Sequence, residues 1–257
     1  MRILTCVKQV PDPESIISID DSKNTIERGA LRYCINRYDE YAVEEALLIR
    51  EAVPGTVIEA LSVGPGRAEA AVRRAMEMGA DNGIHIVTDN DEFLSPYITA
   101  ALIQKYARSA FYDLILTGIM AEDDMCGQVG PLLAEMLSIP CITSVMQERL
   151  SGDFRFIIVE REIEGGARER YEVELPALLA VQPGINRPRY PSLSNVLRAK
   201  KQAISTIHAD VNAIAAVHEK IIRLSLPRKE RSGIFIEGGT DDKSRALLAI
   251  LHNKAFL

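Results

Sequence analysis

Asp113-Leu114-Ile115-Leu116-Thr117-Gly118-Ile119-Met120-Ala121-Glu122-Asp123-Asp124-Met125-Cys126-Gly127-Gln128-Val129-Gly130-Pro131-Leu132-Leu133-Ala134-Glu135-Met136 is the stretch on which the fold turns. Its opening apolar run, Leu114 to Leu116, suits a strand buried on both faces. The run breaks at Gly118, passes a loop of acidic and small residues, and regains a helical pattern near Pro131 with Leu132, Leu133, Met136 and Leu137. Open α/β sheets bind ligands where a buried strand ends in a Gly loop that feeds a helix. There the backbone can approach phosphate, and the helix start offers unpaired N–H groups and a positive dipole end. Gly118, Gly127 and Gly130 allow such an approach, and Asp123, Asp124, Cys126 and Gln128 can reach sugar or base. The spacing alone also fits a plain connecting loop, because the junction recurs in doubly wound proteins.

Upstream, strands and helices alternate. Arg2-Ile3-Leu4-Thr5-Cys6-Val7 is a strand that ends at Lys8-Gln9-Val10-Pro11-Asp12-Pro13, where two prolines forbid its continuation. Residues 15–32 predict a hairpin-like excursion around Asp20-Asp21-Ser22-Lys23-Asn24. Asn36 or Asp39 then caps a helix whose apolar stripe is Tyr38, Ala42, Val43, Ala46, Leu47 and Ile49. A strand over Val57–Val63 and a helix over Ala68–Met78 follow, then a strand over Gly83–Val87 and a helix over roughly 95–110. This succession predicts a parallel sheet in three layers with right-handed crossovers.

Downstream the character changes. Ser144–Glu148, Arg155–Glu162 and Glu169–Glu174 predict a β-meander, and Leu178–Val181 a further apolar strand. A Pro-rich loop over Asn186–Asn195 leads to a helix over Val196–Lys201. Residues 1–205 are expected as the α/β domain, with the meander and Pro-rich loop at about 144–201. Residues 206–257 are expected as an arm: a helical stretch (Ala213–Arg223), the charged segment Pro227–Gly233, a small strand (Ile234–Glu237) and a closing helix (Ala246–His252).

The chain of 257 residues is 47% hydrophobic and carries a net charge of −6, which removes any general electrostatic case for nucleic acid. Cys6, Cys34, Cys126 and Cys141 lie far apart and fit reduced thiols; His85, His208, His218 and His252 show no ligand spacing, so no metal site is expected. No apolar run reaches membrane-spanning length, and the first strand begins at about Arg2. The cytoplasm is the expected compartment, or the mitochondrial matrix if a presequence has been removed.

Several stretches together resemble the beta (small) subunit of electron transfer flavoproteins. They are Val7–Pro11, Asn36–Asp39 with Ala42–Leu47, Ser62–Pro65, Ala75–Asp81, Gly118–Gly130, Val159–Gly166, Leu175–Ala177 and Asn186–Leu193, with Arg231-Ser232-Gly233 and the closing helix matching the family's C-terminal segment. The resemblance covers nearly the whole chain. It implies a Rossmann-like, adenine-nucleotide-hydrolase-like α/β fold and a non-catalytic electron carrier with no acid, base or nucleophile. A larger alpha subunit would hold most of an FAD that this chain borders. A nucleotide would lie along Cys6, Asn36, Arg37, Tyr38, Asp39, Val63 and the Gly118–Val129 loop. Tyr190, Pro191 and Leu193, with Glu162, would dock an acyl-CoA-type dehydrogenase, Leu193 plugging a pocket on the partner. Electrons would leave for an acceptor such as a membrane-associated, quinone-linked one. Asp123-Asp124-Met125-Cys126 resembles the form that carries AMP, and AMP is the expected nucleotide. Lys8-Gln9-Val10-Pro11 and Gln128-Val129-Gly130-Pro131 look more like electron-bifurcating relatives that hold a second FAD there.

Plainer roles stand beside these. Glu162 and Glu164 fit a solvated strand edge, Arg189 a pin for the Pro-rich loop, and Lys200-Lys201 a solvated charge run. A nucleotidyl transferase or pyrophosphatase on the same fold would need a Ser-Gly-Gly-type loop after strand one, where this chain has Lys8-Gln9-Val10. A stand-alone ATP-sensing stress protein would leave the Arg187–Leu193 loop and the arm without a purpose.

Overall fold

Successive side chains of a strand point to opposite faces, so a strand apolar on both faces must be covered on both. The computed structural model, which describes residues 1–20, 24–88, 94–211, 214, 219, 221–227 and 233–254, follows this rule. Up to the central loop the chain forms β1 (Arg2–Cys6), β2 (Gln9–Pro11), β3 (Ile19–Asp20), β4 (Thr25–Ile26), β5 (Tyr33–Ile35), α1 (Arg37–Ala52), β6 (Val57–Gly64), α2 (Glu69–Met78), β7 (Asn82–Val87), α3 (Pro96–Ala107) and β8 (Leu114–Gly118). Beyond it come α4 (Val129–Leu137), β9 (Cys141–Leu150), β10 (Phe156–Glu162), β11 (Arg168–Glu174), β12 (Ala177–Val181), α5 (Leu193–Lys201), β13 (Ser205–His208) and α6 (Thr240–Asn253).

Nine strands form one sheet in the order β11-β10-β9-β12-β8-β1-β6-β7-β13. From β9 across to β13 each neighbouring pair is parallel. On one face Ile3, Ile58, Leu114, Leu116 and Leu179 are buried with α1, α2 and Ala199 of α5. On the other, Leu4, Leu61, Ile84, Ile115 and Leu178 are buried with α3 and α4. The three-layer α/β architecture expected from the apolar runs is therefore the one observed.

Local chemistry sets several element ends. Ser95 caps α3 by accepting the Ile98 N–H at 3.3 Å, and Pro96 takes the first helical position, where its missing donor costs nothing. Helix α2 stops at Gly79, whose φ of 142° disfavours other residues. The paired strands β3 and β4 form the expected excursion.

The expected antiparallel meander is present as β9, β10 and β11; β9 pairs in parallel with β12 over Cys141–Val145 and antiparallel with β10 over Val145–Leu150, so the extension grows directly from the main sheet. Other expectations are corrected. Helix α5 begins at Leu193 and not at Val196, because Ser192 Oγ accepts the Asn195 N–H at 3.2 Å and starts the turn early. Ile234–Glu237 is not a strand; it pairs with no other described strand. The boundary drawn at 205 falls on the first residue of β13, which runs along the sheet edge beside β7. Asp21-Ser22-Lys23, most of 213–223, and Arg228–Ser232 were given roles above and lie outside the described residues. The chain divides into two compact units, Met1–Arg223 and Leu224–Leu257; the second contains α6.

Helix α5 is fastened to α2 by arginines. Arg73 Nη1 donates to the carbonyls of Ala199 (2.5 Å) and Gln202 (2.7 Å), and Arg198 Nη2 donates to those of Met76 and Ala80 (both 3.0 Å). Each pair of bonds satisfies carbonyls that a helix end leaves without intrahelical donors. Arg73→Leu should strip two of these and lower unfolding stability by about 1–3 kcal/mol, read as a lower urea midpoint. An unchanged midpoint would mean that water replaces the guanidinium without loss.

Candidate functional site

Strand β1 is followed by α1 and β6 on one side, whereas β7 is followed by α3 and β8 on the other side of β1. The connections thus diverge between β1 and β8, and a crevice opens at their C-terminal ends. One side chain spans it. Asp39, in the first turn of α1, accepts the Lys8 N–H at 2.7 Å through Oδ2 and the Gly118 N–H at 3.1 Å through Oδ1. Burial pushes the Asp39 carboxyl up to about 7, against the opposing pull of these N–H groups, Asn36 and the Lys8 charge.

Asn36 is fully buried and begins α1, yet its side chain does not cap the helix. It grips the loop instead: Nδ2 donates to Met120 O at 2.9 Å, and Oδ1 accepts the Glu122 N–H at 3.1 Å. Two cations meet the loop's carboxylates. Lys8 Nζ lies 2.7 Å from Asp123 and 2.9 Å from Asp124, and Arg37 Nε lies 3.3 Å from Glu122. Burial alone would lower Lys8, but both aspartates more than offset it and hold the ammonium above its ordinary range. Asp124 is held below its ordinary range: burial acts upward, and the Cys126 N–H and Lys8 outweigh it.

The loop turns at Met125 (φ 52°) and Gly127 (φ 61°), and Asp124 Oδ1 accepts the Cys126 N–H at 2.9 Å. Gly118 has no room for a side chain, since a Cβ there would sit 2.5 Å from Asp39 Oδ1 and 2.6 Å from Tyr38 Cβ. Helix α4 then starts with no side-chain cap and no acidic residue in its first turn. Beneath that turn, Thr117 Oγ1 is buried without a hydrogen-bond partner, as is Ser62 Oγ near the end of β6. An uncapped helix start beside an orphaned hydroxyl suits an anionic group with further acceptors, such as a phosphate. The loop carboxylates do not oppose this, because Lys8 and Arg37 hold all three.

The residues expected from sequence fall into two places. Cys6, Asn36, Arg37, Tyr38, Asp39 and the loop Gly118-Ile119-Met120-Ala121-Glu122-Asp123-Asp124-Met125-Cys126-Gly127-Gln128-Val129 converge at the crevice. Val63 lies one strand further, at the end of β6, where His85 Nε2 donates to Gly64 O at 3.1 Å. Burial, reinforced by Asp39, pushes the Cys6 thiol far up; burial and then Asp124 raise that of Cys126. Neither is primed as a nucleophile. Away from the crevice, Glu162 accepts from Gln182 Nε2 at 2.5 Å, and Tyr190 and Leu193 are 94% and 75% exposed. Lys8 and Thr117 were missed as site residues. The one polar residue closing the run Leu114-Ile115-Leu116 was a legible signal for Thr117.

Fold and crevice define a doubly wound α/β protein with an open crevice at its switch point. Residues 23–212 match the family described as "Electron transfer flavoprotein domain". The chain is 34% identical to "Electron transfer flavoprotein subunit beta" of Bacillus subtilis over 99% of both chains. It is 34% identical to the protein of the same name from Bos taurus over 94% of both. A relative from Arabidopsis thaliana, also 34% identical over 92% of this chain and 93% of its own, is named "Electron transfer flavoprotein subunit beta, mitochondrial". The chain belongs to the electron transfer flavoprotein family. Among the described residues no helix is long and apolar enough to cross a membrane.

Gly118→Ala should push α1 away from β8 and break the Asp39 bridge. Stability should fall by about 1–3 kcal/mol, read as a lower urea midpoint, and an unchanged midpoint would mean that the fold does without the bridge.

Proposed function

We propose that this chain is the beta subunit of a heterodimeric electron transfer flavoprotein that binds AMP in the β1/β8 crevice and helps enclose an FAD held mainly by the alpha subunit. The observation that carries the AMP site is the bridged crevice: Asp39 fixes the two strand exits, Asn36 grips the loop, and Thr117 lies unpartnered under the uncapped start of α4. Thr117 and the N–H groups of Val129 and Gly130 would hold the phosphate, and Asn36–Asp39 with the Gly118–Gln128 loop would hold ribose and base. The flavin supplies the electron transfer when bound. This chain's residues position it and keep the nucleotide end rigid; none acts as acid, base or nucleophile.

Tyr190, Pro191 and Leu193 form the docking end for an acyl-CoA-type dehydrogenase, with Glu162 contributing charge. Their exposure on a segment anchored by prolines and a helix cap supports this role. Residues 206–257 serve as an arm on the alpha subunit, consistent with exposed Phe235 and half-exposed Leu247 and Leu248. Electrons pass on to a downstream acceptor, a membrane-associated quinone-linked one included, in the cytoplasm or, after removal of a presequence, the mitochondrial matrix. The second reading places a second FAD in the crevice and rests on Val129-Gly130-Pro131 at the start of α4.

The deciding test is acid release of cofactors from the chain co-expressed with its alpha subunit. One FAD and one AMP per heterodimer is expected; two FAD and no AMP would make the second reading correct. Leu193→Ala should slow electron delivery from an acyl-CoA dehydrogenase about tenfold or more and leave flavin content intact, as loss of a buried apolar anchor does. Unchanged kinetics would remove the docking role.

A further inference from the structure

The chain between β12 and α5 is held to α1 by adjacent glutamates. Glu44 takes Arg189 through Nε (2.8 Å to Oε2), Nη2 (2.7 Å to Oε1) and the backbone N–H (3.1 Å), while Glu51 takes Arg189 Nη1 at 2.8 Å. Glu45 accepts from Asn186 Nδ2 at 2.7 Å, and the same amide donates to Tyr41 O at 3.0 Å. Both glutamates are buried. From the sheet, Glu148 of β9 reaches the same spot. It lies opposite Val159, which is buried on the α1 face, and its carboxyl faces that of Glu45.

Two carboxylates facing each other away from water repel when both are ionised, and one proton between them would both remove the repulsion and supply a donor. The surrounding inventory leads to the same conclusion. Glu148 Oε2 and Asn186 Oδ1 are both buried without a partner, and what the cluster lacks is a donor. Among the described residues no cation lies within ion-pair distance of Glu45 or Glu148. The neighbouring charge on α1, Glu44, is already matched with Arg189.

We propose that Glu45 and Glu148 share one proton and, together with Glu44, act as positioning residues for the docking end, so that loss of the proton loosens residues 184–192 and weakens dehydrogenase docking without altering electron transfer itself. This rests on the docking role given above to Leu193. Burial first, and Glu45 second, push Glu148 up to about 8; burial also raises Glu45. The folded pair therefore holds its proton more tightly than the unfolded chain does. Its contribution is full below the ordinary glutamate range, declines as pH rises through that range, and is spent above about 8.

Hydrogen exchange on the heterodimer, corrected for intrinsic rates, tests the pair directly. Between pH 6 and 9, protection of residues 184–192 should fall by up to about a hundredfold in the wild type, one factor of ten for each pH unit over which only the folded pair keeps its proton. Glu148→Gln, neutral at every pH, should abolish that fall, and Glu45→Gln serves as the second variant should the first fold poorly. A protonated-carboxyl stretch in the infrared spectrum should be present in the wild type and absent from Glu148→Gln. With an acyl-CoA dehydrogenase as probe, KM should rise with pH and kcat should not, and Glu148→Gln should flatten the KM profile. A wild type whose protection stays flat, or a Glu148→Gln that keeps the fall, overturns the shared proton. Leu193→Ala keeps the shared proton and should keep the fall. If its dehydrogenase kinetics match wild type, the docking role is overturned while the exchange result still decides the pair.

Discussion

The site depends on a single carboxylate placed where water is nearly excluded. Asp39 joins the exits of β1 and β8 through two backbone N–H groups and belongs to the helix that covers one face of both strands. Desolvating a carboxylate is costly, and its raised pKa records that cost. In return two buried donors are satisfied and the mouth of the crevice acquires a fixed width. Gly118 follows as a necessity, because the space a methyl group would need is filled by Asp39 and Tyr38.

The rest of the loop is arranged around separation of charge. An acidic loop beside an anion-binding helix start would defeat itself if its carboxylates faced the anion. Lys8, just past β1, and Arg37, at the start of α1, pair with all three of them. The first turn of α4 keeps its donors, with Thr117 beneath it. The cations are thus employed in shielding, and backbone dipoles are left to meet the ligand. A short loop can in this way be negatively charged overall and still present a positive end.

Much of this was legible because it is local. Buried strands announce themselves as apolar runs, Gly118 and Gly127 as breaks, and the Leu132-Leu133-Met136 spacing as a helix. Ser192 is equally readable as a cap, with a helical run directly after it. What could not be read from one segment was pairing between distant ones. Asn36 is a good helix-capping residue by type, and only the folded chain shows its amide diverted to Met120 and Glu122. Glu44 and Glu45 are charged residues outside the apolar stripe of α1, where a solvated face is expected. They are buried, because β9 and the 182–192 segment close over that flank after the helix has formed its pattern. Helical periodicity assigns a face but does not say how much of the helix circumference later elements will cover.

Strand β12 occupies the slot between β8 and β9, although it is made after β9, β10 and β11. When the ribosome has released only the first 150 residues, β8 and β9 each still lack a neighbour on that side, and both expose unpaired backbone groups. Val181, the last residue of β12, then accepts the Ile119 N–H at 2.8 Å, at the base of the 118–129 loop. The late strand therefore completes the loop's footing as well as the sheet. A nascent chain has no finished crevice until residue 181 is in place, so the crevice closes only after the whole meander has been synthesised.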